Sequence, residues 1–427
     1  MDENSPIYNL KVVVSETGVK PETLRAWERR YGFPKPKRSA GGHRLYTLRD
    51  VRTINWLIER QKEGLSISRA VELWKGLEDS GQDPLHAESL SQPLPTVDRS
   101  SLELLRQEWI DACLNFNEQA ADMVITQAFA IAPPELVCFE ILQSGLSEIG
   151  QRWFQGTVSV QQEHFATAQA IKRLHLLLNA APPPSREGVL LAVCPAGETH
   201  EFGLLLAALL LRRQGWEVIY LGANVPLMKL EATIHTVKPV LSLAIAQTLP
   251  AANSLVELAS FLDQFKVSMA FGGGIFNVIP SLVEHIPGHY LGEKIEDITK
   301  VVERLVRAPQ SPPQIEPLKI EYEKALKDYQ IKRFAIETSV IETNGDISNG
   351  FAKDTRDYIF DHIEAGLAFG EIEILEWPLA WLKEFITTFE GSENHYNMVI
   401  QSFIRSLDEH MQENGRIVIE FLRRVIN

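Results

Sequence analysis

Five short apolar runs alternate with helical stretches between residues 188 and 305, and this alternation limits the fold of the region more than any other feature. Each run is rich in Val, Leu, Ile and Ala, and the segments between them repeat apolar residues every three or four positions. Strands that alternate with helices join in parallel, in one sheet covered by helices on both faces. The pattern predicts an open α/β domain over residues 186–307, with ligands binding beyond the carboxyl ends of its strands.

The regions before and after this domain have a helical pattern. Residues 100–181 contain four amphipathic stretches, which predict a four-helix bundle. Residues 318–427 also repeat apolar residues at helical spacing and predict a C-terminal all-α domain. Two segments rich in Pro, Ser and Gln, residues 79–99 and 308–317, are predicted linkers.

Charge is distributed unevenly along the chain. The formal net charge is -14, but residues 1–76 carry +6 and the remainder carries -20. A small basic region on an acidic body indicates that the basic part meets phosphate, and the acidic body limits non-specific binding. We therefore expect a nucleic-acid-binding domain over residues 1–78.

The other bulk features argue against membrane and disulfide-stabilised classes. No apolar run reaches the roughly 18–20 residues that a membrane span needs. The first ten residues are acidic and lack the apolar region of a secretory signal. Three scattered cysteines, Cys113, Cys138 and Cys194, form neither a disulfide framework nor a clustered zinc site. A cytoplasmic protein without a membrane partner is expected.

The basic region contains a short arginine-rich helix. The turn at Gly18 predicts a sharp bend between two helices, and the second helix begins near Thr23. Such a helix can enter a major groove and also hold phosphate, while its other side packs inward. The outward residues are Arg25, Arg29 and Arg30, with Thr23 as a further expected DNA contact, and the inward residues are Leu24 and Trp27.

The motifs GV-x3-TLR-x-WERRYG and P-x-R-x3-G-x-R-x-Y-x3-DV resemble the winged-helix DNA-binding domain of MerR-type regulators over about residues 8–76. The resemblance implies double-stranded operator DNA as the partner, with Arg25 and Arg29 in the groove. It implies phosphate contacts from Arg38, Arg44 and Tyr46. The helix that follows, from about Ile67, is short, so the oligomer contact of a dimer or tetramer must come from the body of the protein.

The loop after the first predicted strand, CPAGETHEFG, carries a candidate metal ligand. An imidazole at His200 lies beyond the sheet edge and is free to ligate a metal. Glu198 can bond the other ring nitrogen and fix its tautomer, and Gly203 lets a bulky group approach the backbone. Taken alone, His200 is more often a solvated loop histidine.

Glu198-x-His200-x-x-Gly203 resembles the signature of cobalamin-binding, flavodoxin-like domains, as do YLGANVP and FGGGIF further on. The resemblance implies that His200 is the lower ligand of cobalt. Where relatives have Ser-x-Thr beside the buried nucleotide tail, this chain has Ala246-Gln247-Thr248, so Thr248 keeps one hydroxyl contact. The glycines implied to lie along that tail are Gly272, Gly273 and Gly274.

Ahead of the sheet, Trp153 is followed after nine residues by Glu163-His164. This spacing resembles the helical cap of CarH-type, adenosylcobalamin-dependent photoreceptor repressors. The resemblance implies that Trp153 covers the adenosyl group and that Glu163 and His164 line its pocket. Light-sensing members commonly have His after this Trp, as the upper ligand that locks the photoproduct, whereas this chain has Phe154.

Together these resemblances imply a light-responsive transcriptional repressor rather than an enzyme, assembled on its operator by adenosylcobalamin. A light-independent cobalamin-level sensor is the alternative that Phe154 suggests. A second alternative is a sensor with another tetrapyrrole, a haem or bilin, in residues 318–427, with His362, His395 or His410 as ligands. A corrinoid methyl carrier or mutase fragment also fits the sheet domain, but the fused DNA-binding region disfavours it.

Overall fold

The computed structural model describes residues 8–38, 44–62, 67–79, 99–344, 350–390 and 393–426. The chain divides into two compact units, Met1–Val97 and Asp98–Asn427, and each is considered by itself. Within the described ranges, no helix combines the length and the apolarity needed to cross a membrane.

The described part of the first unit combines short helices with a small antiparallel sheet in the strand order β1-β3-β2. Gly18 lies between α1 and α2 with a φ of 72°, so the predicted bend is confirmed. Leu24 and Trp27 are buried, as predicted for the inner side of α2. The elements are β1 (Tyr8–Asn9), α1 (Leu10–Thr17), α2 (Pro21–Tyr31), β2 (Lys37–Arg38), β3 (Arg44–Tyr46), α3 (Leu48–Lys62) and α4 (Ile67–Asp79).

The second unit begins with the helices predicted over residues 100–181. A π-helical turn, Cys138–Gln143, joins α7 to α8. At the start of α9, the Ser159 hydroxyl accepts a bond from the Gln162 backbone, and the Gln162 side chain accepts one from the Ser159 backbone, so the helix start is capped. The helices are α5 (Arg99–Leu114), α6 (Glu118–Ile131), α7 (Pro134–Val137), α8 (Ser144–Phe154) and α9 (Val160–Asn179).

A parallel five-stranded sheet follows, in the order β5-β4-β6-β7-β8, so the predicted α/β pattern is confirmed. The central strand β6 is buried along its length, because helices cover both faces. Helix α10 packs against α9 on its other side, which explains its uninterrupted apolar run. The elements are β4 (Val189–Val193), α10 (Phe202–Arg213), β5 (Glu217–Tyr220), α11 (Leu230–Val237), β6 (Leu241–Ile245), α12 (Leu249–Gln264), β7 (Met269–Gly272), α13 (Ile275–Val278), β8 (His289–Tyr290) and α14 (Ile298–Arg307).

The C-terminal region is helical, as predicted. It belongs to the same compact unit as the sheet, and one continuous apolar core runs from Val193 to Leu422. The predicted linker 308–317 has neither helix nor strand, whereas residues 80–98 of the predicted linker 79–99 lie outside the described residues. The helices are α15 (Ile320–Asn344), α16 (Gly350–Phe369), α17 (Glu376–Glu390), α18 (Glu393–Met411) and α19 (Arg416–Val425).

Candidate functional site

The loop between β4 and α10 holds His200 in one orientation. Glu198 is 1% exposed, and its Oε1 lies 2.8 Å from the His200 Nδ1 and also accepts the His200 backbone N–H. The other carboxylate oxygen accepts the Gln247 backbone N–H at 2.6 Å. Because Nδ1–H donates to Glu198, the Nε2 of an exposed imidazole is left to serve as a ligand.

The electrostatic setting of His200 favours a basic imidazole. The hydrogen bond to Glu198 raises the pKa of His200, and the charges of Glu198 and Glu163 act in the same direction against partial burial. Once Nε2 has lost its proton, a more basic imidazole donates its electron pair to a metal more strongly. The arrangement therefore suits an axial metal ligand.

A second loop braces this histidine loop. Asn224, in the YLGANVP segment, accepts the Gly197 backbone N–H through its side-chain oxygen at 2.8 Å. The Tyr220 hydroxyl donates to Glu201 at 2.6 Å, and burial, together with this bond, raises the pKa of Tyr220. The loops after β4 and β5 therefore form one hydrogen-bonded rim beside His200.

The glycine loop after β7 lines a cavity of about 220 Å³ that reaches between β6, β7 and α14. A Cβ on Gly273 would lie 2.0 Å from the Ala246 carbonyl oxygen, and one on Gly274 would lie 2.6 Å from the Gln247 Oε1. Only glycine fits at Gly273, where φ is +128°. The chain segments that follow β6 and β7 therefore approach each other closely beside this cavity. Its lining includes Gly203, Ala207, Ile245, Gln247, Gly272, Gly273, Gly274, Asn277, Leu291 and Ile298.

Two neighbouring residues differ in their position at this cavity. Gln247 lines it and accepts the Gly274 backbone N–H at 2.9 Å. Thr248, predicted to contact the tail, caps α12 by accepting the Ala251 backbone N–H. Gln247 has no predicted role, although its position directly after a buried strand is a signal that could have identified it.

The helical region places Glu163 near this edge of the sheet, since its charge acts on His200. Glu163 accepts the Thr167 hydroxyl at 2.8 Å, and its second oxygen lies 2.7 Å from the His164 Nδ1. The His164 side chain is largely exposed. Glu163 thus presents a fixed carboxylate and His164 an accessible imidazole.

Trp153 and Phe154, at the end of α8, contact the C-terminal helices. The ring centroid of Trp153 lies 5.5 Å from that of Phe385, and Phe154 stacks on Trp381 at 5.5 Å. The aromatic residues of α17 recur every fourth position, but no pattern in the sequence identifies their partners. These contacts were not predicted.

The predicted DNA-contacting residues have different surroundings in the first unit. Arg25, Arg29 and Arg30 are exposed on α2, and Thr23 is half-buried. Arg44 donates to Glu28 at 2.7 Å, which leaves it only partly available to phosphate. Tyr46, expected at phosphate, is 1% exposed in the core, which opposes a ring contact with DNA. The side chain of Arg38 lies outside the described residues.

The three C-terminal histidines lie on two helices, His362 on α16 and the other two on α18. His362 is buried, stacks on Tyr358 with centroids 3.8 Å apart, and its Nδ1 bonds the Tyr358 carbonyl. Burial lowers the pKa of His362 to about 4. His395 and His410 both lie on α18, fifteen positions or about 22 Å apart along its axis. One tetrapyrrole iron cannot take both of these as ligands.

Comparisons with known proteins match one family in the first unit and another family in the second unit. The chain matches the MerR HTH family regulatory protein profile over residues 8–77 and two B12 binding domain profiles over residues 105–178 and 188–296. The HTH-type transcriptional repressor CarH of Myxococcus xanthus is 36% identical over 233 residues, which cover 54% of this chain and 76% of that protein. The repressor CarA of the same organism is 32% identical over 257 residues, which cover 60% of this chain and 80% of CarA.

Among solved structures, the monomethylamine corrinoid protein of Methanosarcina barkeri aligns with a TM-score of 0.42 and 21% identity. That alignment covers 49% of this chain and 99% of the corrinoid protein. The three profile matches end at residue 296, so the C-terminal helices lie outside them.

Proposed function

The chain belongs to the family of MerR-type, B12-binding transcriptional repressors that includes CarH and CarA, and we propose that adenosylcobalamin and light control its binding to operator DNA. The observation that carries the cofactor assignment is the buried Glu198 holding His200 beside the glycine-lined cavity. When bound, adenosylcobalamin supplies a light-labile cobalt–carbon bond. The remaining steps belong to the residues of the chain.

On the lower side, we propose that His200 binds cobalt through Nε2 while Glu198 fixes its ring. The cavity beside Gly272, Gly273 and Gly274 would take the nucleotide tail, with Gln247 offering an amide along its path. Gly203 leaves the start of α10 open to the ligand. These residues fit the group because the cavity is lined by three successive glycines and by the amides of Gln247 and Asn277.

On the upper side, we propose that the helices of residues 100–181 act as a four-helix-bundle cap. Trp153 would cover the adenine, since an indole stacks well on a purine. Glu163 would accept hydrogen bonds from ribose hydroxyls, and His164 would line the same pocket. Loss of these contacts would allow the cap to move.

For the first unit, we propose a winged helix-turn-helix domain whose α2 enters the major groove. Arg25, Arg29 and Arg30 are its exposed cations, whereas Arg38 and Arg44 would lie along the phosphate backbone. We propose that the ligand-bound protein forms a homo-oligomer. Joining several weak DNA-binding units raises avidity by about 10²–10⁴ without a new DNA contact.

Phe154 supports a second candidate, a light-independent cobalamin-level sensor. Its ring stacks on Trp381 and has no atom that could ligate cobalt after photolysis. In that case operator binding follows the concentration of the cofactor and not illumination. His164 is the neighbouring imidazole that would have to replace it in a light sensor.

The first experiment is the absorption spectrum of the protein with adenosylcobalamin in darkness, before and after green light. We expect a histidine-ligated spectrum that changes on illumination and persists in darkness. His200→Ala should remove the ligand-dependent shift, while His235→Ala, an exposed histidine on α11, should retain it. Binding without a lasting light-induced change would favour the level sensor, and absence of binding would overturn both.

DNA binding has a separate test. Arg25→Ala should weaken operator binding by about tenfold or more, since one good base contact contributes about 1–3 kcal/mol. Lys266→Ala, which removes an exposed cation from the second unit, is the charge-matched control. Equal behaviour of the two variants in a binding titration at fixed salt would refute the groove assignment.

A further inference from the structure

The C-terminal helices pack against the ligand-binding part of the second unit. Helix α16 packs on α12, next to the sheet, and both contribute to one apolar core. His285, which follows α13, lies 3.5 Å from Glu371, and its ring is 5.8 Å from that of Phe369. The C-terminal helices are therefore part of the body that carries His200.

Six aromatic residues, which we call the aromatic bridge, join this region to the end of α8. Within α17, the rings of Trp381 and Phe385 are stacked and nearly parallel, with centroids 5.1 Å apart, and the Phe385 centroid lies 4.6 Å from that of Phe389. Tyr358 of α16 stacks on Trp381 at 5.5 Å. The members are Trp153, Phe154, Tyr358, Trp381, Phe385 and Phe389.

Trp153 receives two of these contacts, from Phe385 at 5.5 Å and from Phe389 at 6.3 Å. Both distances lie in the range of attractive aromatic pairs. The backbone after α8 approaches α17 as well, since a Cβ on Gly156 would lie 3.3 Å from the Thr388 Cγ2. An indole held on one side by α17 keeps fewer rotamers than one on an open surface, which prepares its remaining surface for a ligand.

We propose that the C-terminal helices complete the upper wall of the cobalamin site, with Phe385 as a residue that positions Trp153. The inference rests on the proposed function, because it takes Trp153 as the cover of the adenosyl group. It gives the C-terminal helices a role in recognising the upper ligand of the corrinoid. A change at this upper face would reach α16 and α17 through the aromatic bridge.

The test compares two cobalamins in dark absorption titrations of the full chain. Adenosylcobalamin carries the group that Trp153 would cover, whereas hydroxocobalamin lacks it and keeps the lower ligand and the tail. Phe385→Ala should weaken adenosylcobalamin binding by about tenfold, the upper range for loss of an aromatic pair. The same variant should bind hydroxocobalamin as wild type does, because that cobalamin has no adenosyl group for Trp153 to cover.

Matched variants separate positioning from general destabilisation. Phe334→Ala makes the same chemical change at a Phe that is 82% exposed on α15, and it should leave both affinities unchanged. Phe385→Leu keeps apolar bulk behind Trp153 and should recover most of the adenosylcobalamin affinity, even if Phe385→Ala folds poorly. Thermal unfolding of each apoprotein checks the fold.

The outcomes distinguish the two hypotheses. The positioning role would be overturned if Phe385→Leu and Phe385→Ala weakened the binding of both cobalamins equally. It would also be overturned if neither variant weakened the binding of either cobalamin. If the wild-type protein bound neither cobalamin, the proposed function itself would be overturned. Selective loss of adenosylcobalamin in Phe385→Ala supports both.

Discussion

The lower and upper sides of the proposed ligand site are built in different ways. The lower side comes from loops after neighbouring strands, and Glu198 and His200 are two residues apart. On the upper side, Trp153 is held by Phe385, more than two hundred positions away in the sequence. A site made of short loops on a regular sheet can be predicted from spacing, whereas one made by packing of distant helices cannot.

The histidines show the same contrast. His200 is exposed and bonded to a carboxylate, which raises its pKa. His362, stacked on Tyr358 in the aromatic region, is buried with its Nδ1 on a backbone carbonyl, and burial lowers its pKa to about 4. One imidazole is kept basic and accessible, and the other is kept neutral within a packed core.

The largest expected effect tests the rigidity of the lower side. Gly273→Ala would place a Cβ 2.0 Å from the Ala246 carbonyl, at a φ unsuited to alanine. We expect the free energy of unfolding to fall by about 3–5 kcal/mol and cobalamin binding to be lost. Gly150→Ala, on α8 with no atom near the added Cβ, is the control and should fold normally. If Gly273→Ala unfolded in denaturant at the same midpoint as wild type, the close approach of residue 273 to the Ala246 carbonyl would be contradicted.

The next prediction concerns pH and the upper, aromatic side. Because the pKa of His362 falls from 6.5 to about 4 on folding, the unfolded chain binds a proton that the folded chain rejects. Stability from this group is present above pH 6.5 and is lost as the pH falls toward 4, by up to about 3 kcal/mol. His362→Phe should flatten unfolding free energies across this window, relative to wild type. If the unfolding free energy of His362→Phe depended on pH as that of wild type does, a group other than His362 would be responsible for the pH dependence.

A smaller effect is expected from the carboxylate behind the lower ligand. Glu198→Gln removes the charge that holds His200, so the pKa of His200 should fall and the imidazole should become a weaker ligand. We expect cobalamin affinity to drop by about 10–100-fold, as for other partners of metal-bound histidines. Glu231→Gln, next to the exposed His235, is the matched control. Titration of both variants with hydroxocobalamin measures the difference.

These contrasts also set the limit of prediction from the sequence. The five strands could be predicted because short apolar runs alternate with helical stretches. The loop of His200 could be predicted because it follows the first of these runs. The burial of Tyr46 was missed because a three-residue strand has too little pattern to show which face is inward. The contacts of Phe154 and Trp153 were missed because apolar spacing predicts a buried face and does not identify the helix that covers it.

The smallest expected effect tests how far the two sides are independent. Glu163 lies on the upper, helical side, yet its charge contributes to the raised pKa of His200. The contribution is purely electrostatic and is smaller than that of the hydrogen bond that His200 donates to Glu198, so Glu163→Gln should lower the pKa of His200 by less than Glu198→Gln does. Proton NMR titration of the apoprotein measures both shifts. If Glu163→Gln left the pKa unchanged, the upper and lower sides would be electrostatically separate. If its effect equalled that of Glu198→Gln, the fixed pair on the lower side would not be the main control of the imidazole.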